Sequence, residues 1–153
     1  MTTLNWILMS WFVAVGVQTP AAAPLSATVR DHLRADTLAP IAHIAELPKL
    51  VQDALRANFS SPTLDMADPG QQWQVTDVVM DPKLPMRRLI SAGCSSDHCL
   101  VHYEQGGIAH FYRVLLISVS KTAAKVDWSG MCGGPMPNVA EVQAQVVAGK
   151  IKS

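Results

Sequence analysis

Between positions 87 and 130 the chain passes through four candidate strands, 87–94, 99–104, 110–119 and 124–130, with only four or five residues separating one from the next. A parallel neighbour needs a crossover of about a dozen residues or more, so strands joined by breaks this short must pair antiparallel. An earlier stretch, 73–80, has the same Val and Thr texture and is closed by Asp81-Pro82. The economical topology is an antiparallel meander of four to five strands. Gly106-Gly107 suits a hairpin turn that requires positive φ, and Gly133-Gly134-Pro135 ends the sheet.

Helical spacing flanks this region. Pro48 fits a first-turn position, with Leu50, Val51, Ala54 and Leu55 on one face and Lys49, Gln52, Asp53 and Arg56 on the other. After the sheet, Asn138 caps a helix bearing Val139, Val142, Val146 and Val147, and Gly149 terminates it. Residues 24–46 are an ill-defined N-terminal segment in which Ser26 or Thr28 caps a short helix ending before Pro40. The expectation is a single α+β domain over 47–153, its sheet packed by an N-terminal and a C-terminal helix.

Side-chain parity sorts the two sheet faces. In 99–104 the odd positions carry Cys, Val and Tyr, while the even ones carry Leu100, His102 and Glu104. Ala124, Val126 and Trp128 share a parity and are expected to be buried together. One face is consistently apolar and is expected to carry both helices. The other mixes His and Tyr with aliphatic residues, and it or the helix–sheet cleft is the expected place for a ligand.

The start of the chain reads differently. The apolar run 6–17 is twelve residues long, short of the roughly 20 needed to span a bilayer core. Pro20 and the small residues Ala21, Ala22 and Ala23 follow it, the pattern of a secretory signal peptide over 1–23 cut near Ala22 or Ala23. The first charged side chain is Arg30, so removal leaves the balance of twelve Lys plus Arg against twelve Asp plus Glu untouched. Zero net charge argues against nucleic acid or an anionic membrane surface as the partner. The reading is a periplasmic or secreted protein, with no transmembrane anchor after processing.

An exported chain with three cysteines implies one disulfide and one free thiol. Cys94 and Cys99 bracket a four-residue break and come within bridging distance in the right hairpin register, leaving Cys132 free or an alternative partner. Closing so small a loop contributes about 1–2 kcal/mol.

Three constellations carry chemistry. His98, Cys99 and His102 offer imidazole and thiolate donors of the kind zinc or copper accepts, although on a strand Cys99 points away from both histidines. A thiolate paired with His98, His102 or His110 would suit nucleophilic catalysis, but oxidation removes two of the three thiols. His102, Glu104 and His110 form the densest polar group, and a carboxylate beside imidazoles suits general acid–base work. None of these motifs is specific enough to assign a reaction, and none implies a cofactor. The expectation is a non-catalytic binding or protein-interaction module, an inhibitor-like protein being one specific form, that meets a protein or small molecule in the envelope or outside the cell. The alternatives are a small enzyme using His102, Glu104 and His110, or a metal-handling protein.

Overall fold

A computed structural model describes residues 23–79 and 81–153. The apolar run 6–17, read above as part of a leader, lies outside the described residues. Among the described residues no helix is long and apolar enough to cross a membrane.

The elements run α1 (Ala27–Ala35), β1 (Ala39–Ile41), a 3-10 turn (Ile44–Glu46), α2 (Lys49–Asn58), β2 (Arg87–Cys94), β3 (His98–Gln105), β4 (Phe111–Val119), β5 (Ala124–Cys132) and α3 (Val139–Val147). The sheet is antiparallel throughout, in the order β1-β2-β3-β4-β5. Ser26 caps α1 by accepting from Val29 N, and Asn138 caps α3 by accepting from Ala140 N at 2.8 Å. Gly149, at φ +68°, takes the left-handed position just past the end of α3.

The first strand is not where the sequence pattern places it. Residues 73–79 form no strand beyond an isolated bridge at Thr76, and Ala39–Ile41 instead pairs with Ala92–Cys94 at the sheet edge. The reason is local. Gln74 is buried and its Nε2 donates to the carbonyls of Thr76 and Val78, which coils the segment on itself.

The helices do not share one face, contrary to the sequence expectation. On one side α1 and α3 cover Leu100, Val114, Leu116 and Trp128. On the other, α2 sets Val51 and Leu55 against Val101, Tyr103, Leu115 and Ile117. Cys99-Leu100-Val101 and Val114-Leu115-Leu116-Ile117 are buried at every position, the pattern of strands covered on both faces. Truncating a residue at the centre of either layer, such as Leu55→Ala or Leu116→Ala, is expected to cost about 2–5 kcal/mol.

The sheet carries two bulges, and the one on β5 explains why parity misassigned that strand. The register shifts between Leu89 and Ser91, leaving Ile90 as an extra residue on β2. It shifts again where Leu116 faces Trp128 and Ile117 faces Val126, leaving Asp127 extra on β5. Each bulge reverses which face the following residues meet. Ala124 and Val126 therefore pack in the α2 layer, whereas Trp128 packs in the α1–α3 layer.

Cys94 and Cys99 stand directly opposite in the β2–β3 register and form a disulfide, with Cα atoms 4.1 Å apart. Cys132 is free.

Candidate functional site

The β3–β4 end of the sheet gathers most of the polar side chains that the sequence singled out. Arg88, Glu104 and Tyr112 occupy facing positions on β2, β3 and β4. Arg88 Nε donates to Glu104 Oε1 at 2.7 Å, and His110 Nε2 lies 2.8 Å from Oε2. Only 7% of the Glu104 side chain is exposed, so its carboxylate depends on these two partners. Trp73 closes the group from the loop side. Its ring lies 5.4 Å from the His110 ring, and the Arg88 guanidinium lies over it at 5.4 Å. The Tyr112 ring also lies against His110, with centroids 4.8 Å apart and the planes tilted by 38°.

His102 lies outside this group. It is fully buried on the α1–α3 face, with its ring centre 6.4 Å from that of Tyr112. Nδ1 lies 2.8 Å from the Arg113 carbonyl oxygen, and Nε2 accepts from Met136 N at 3.1 Å. These partners require the neutral ring protonated at Nδ1. Burial pushes the His102 pKa down, against the Arg113 carbonyl and the carboxylates of Glu104 and Glu141, which favour the charged ring. With both nitrogens engaged, His102 ties the segment after β5 to the sheet. Of His102, Glu104 and His110, the structure joins only the last two.

The cysteine–histidine arrangement has the same limit. Cys132 Sγ lies 4.0 Å from His102 Nδ1, but that nitrogen already serves the Arg113 carbonyl. Burial pushes the Cys132 thiol up, against the backbone hydrogen bonds of Gly134 and Cys132 itself, so the site favours thiol over nucleophilic thiolate.

His98, Cys99 and His102 do not converge. Cys99 is held in the disulfide and packs in the α2 layer, while His102 is enclosed beneath α3. His98 lies at the opposite end of β3 from Glu104, beside His32 and Asp97.

Sequence reasoning missed two further features of the β3–β4 end. One is Arg88, whose role follows from its place opposite Glu104 in the β2–β3 register. The second is apolar. Ile108 is 95% exposed, and Val75, Val78, Val79 and Phe111 are exposed as well. One backbone hydrogen bond joins their segments, Gly107 N donating to Val75 O at 3.2 Å, while Gly106 N donates to Met86 O just before β2 at 3.0 Å. Gly106 permits this approach, because a Cβ there would sit 2.1 Å from Gln74 O.

Comparison with protein-family models, with curated proteins and with solved structures finds no match to the chain.

Proposed function

We propose that the chain is an exported, non-catalytic binding module that docks on another exported protein through the sheet end formed by 75–79 and 106–111. The observation that carries this reading is the exposure of Val75, Val78, Val79, Ile108 and Phe111 on two segments joined by the Gly107 N to Val75 O hydrogen bond. Exposed apolar groups on a braced scaffold meet a partner with little loss of conformational freedom. Arg88, Glu104 and Trp73 supply the bracing and a polar rim. Export is supported by the apolar run followed by small residues, and by a disulfide of the sort that persists in oxidising compartments.

The test is affinity capture from the exported fraction with wild-type, Ile108→Asp and His110→Gln baits. A partner kept by wild type and by H110Q but lost with I108D supports docking through the apolar end. A partner that I108D retains in full contradicts it.

A second reading rests on the His110–Glu104 contact. An imidazole about one-third exposed and held by a buried carboxylate is the arrangement of a general base, and it favours a small enzyme. Turnover that H110Q abolishes while I108D leaves it intact would establish that reading instead.

A further inference from the structure

The end of β3 remote from Glu104 holds a second cluster. His32 comes from α1, and Asp36 follows one turn later just past the helix end. Asp97 and His98 come from the β2–β3 connection and the start of β3. One donor atom from each of these four residues lies within 4.8 Å of every other. We infer that His32, Asp36, Asp97 and His98 form a binding site for a divalent transition-metal ion, with zinc as the expected occupant.

Hydrogen bonding within the cluster leaves it incomplete. His32 Nε2 lies 3.0 Å from Asp97 Oδ2, and Ser95 Oγ donates to Asp97 Oδ1 at 3.1 Å. Asp36 Oδ1 accepts from Thr37 N at 2.9 Å. Two buried atoms then have no hydrogen-bond partner, Asp36 Oδ2 and His98 Nδ1. Nδ1 of His98 is 3.3 Å from Asp97 Oδ1, but the alignment makes no hydrogen bond. A simple His32–Asp97 ion pair therefore accounts for half the cluster. A cation among the four donors engages the other half.

The chemistry of the donors selects the ion. Two imidazoles and two carboxylates suit zinc and neighbouring divalent metals, and the absence of thiolate disfavours copper(I). Zinc bonds of about 2.1 Å in a tetrahedron place donors about 3.4 Å apart. Donors already within 4.8 Å reach that spacing by small side-chain rotations. The supports are in place. Gln143 of α3 donates to the Asp36 carbonyl at 2.9 Å, Val119 N donates to the Asp97 carbonyl at 2.7 Å, and the Cys94–Cys99 disulfide closes the loop carrying Asp97 and His98. The site also opens to solvent, since the His32 and Asp97 side chains are 48% and 46% exposed. An ion held there bolts α1 to the β2–β3 hairpin, and it does so independently of the docking end.

The test is calorimetric titration of zinc chloride into the purified full-length chain after chelator treatment, with His32→Gln, Asp36→Asn, His98→Gln and His110→Gln beside it. The expected result is saturation at one zinc per chain in wild type and H110Q, and roughly tenfold or greater weakening in H32Q, D36N and H98Q. Zinc should raise the Tm of wild type and H110Q but not of H32Q or D36N. His32 is largely exposed, so H32Q decides the matter even if H98Q fails to fold. Failure of wild type to bind one equivalent overturns the inference. So does one-to-one binding that survives both H32Q and D36N, since the ion would then sit on other histidines.

Discussion

His110 and Arg88 hold the two oxygens of one buried carboxylate: Nε2 of His110 lies 2.8 Å from Glu104 Oε2, and Nε of Arg88 lies 2.7 Å from Oε1. The arrangement is unequal in what each residue stands to lose. Glu104 is enclosed, Arg88 is about one-third exposed, and His110 is slightly more open than Arg88.

Removing the enclosed partner therefore costs most. Glu104→Ala strands the Arg88 guanidinium and the His110 ring, and it should lower stability by about 2–3 kcal/mol. His110→Gln should cost less than about 1 kcal/mol, because its contact is half solvated. Urea denaturation of the two variants checks the order. A loss for H110Q as large as that for E104A would contradict the role given to Glu104.

Acid should weaken the fold through His102. The groups around it are Glu104 on its own strand, Tyr112 and Arg113 on β4, Cys132 at the end of β5 and Glu141 on α3. Burial lowers the folded-state pKa, so the native ring stays neutral where an unfolded histidine, with a pKa of about 6.5, takes up a proton. The unfolded state then binds more protons, and stability falls as pH drops through about 6.5 toward the lower folded value. Unfolding free energy measured from neutral pH to about pH 5 should decline more steeply in wild type than in His102→Gln. Equal slopes would contradict the assignment of a neutral, doubly bonded ring.

The thiols make a separate check. One reactive thiol, Cys132, should be found in the unfolded, unreduced chain, and three after reduction. The Cys94→Ala/Cys99→Ala pair should lose no more than about 2 kcal/mol, because so short a loop restricts the unfolded chain little. Three free thiols before reduction would remove the disulfide from the account.

Gly106 links the docking end to the sheet. A Cβ there would meet Gln74 O at 2.1 Å and Val75 O at 2.6 Å, and backbone atoms cannot move aside as a flexible side chain can. Gly106→Ala should push 74–79 off the hairpin, cost about 1–3 kcal/mol and weaken partner capture. Proteolysis should then cut within 74–79 faster than in wild type. Unchanged cleavage and capture would show that the two segments act separately.

The antiparallel order of β2 to β5 was legible because the breaks between the stretches are too short for any other connection. The cap at Asn138 was legible for a similar reason, since its contact lies within two residues, whereas the sequence left the first cap open between Ser26 and Thr28. The bulges at Ile90 and Asp127 were not. An extra residue leaves no mark on composition, yet it reverses the face of everything after it, and Trp128 left the company of Val126 for that reason. The stretch 73–80 has strand-like composition, but the Gln74 side chain competes for its backbone carbonyls. At the candidate site, Glu104 and His110 were found by proximity in sequence. Arg88 became visible only with the register, and the grouping of His32 and Asp36 with Asp97 and His98 required α1 to fold back over the start of β3.

Hydrogen exchange on a captured complex tests docking through the 75–79 and 106–111 end most directly. The account predicts slowed exchange at amides of 75–79 and 106–111, with 95–98 at the far end of β3 unchanged on partner binding. Protection centred on 95–98 or on the outer faces of α1 and α3, with 75–79 and 106–111 exchanging as in the free chain, would contradict it.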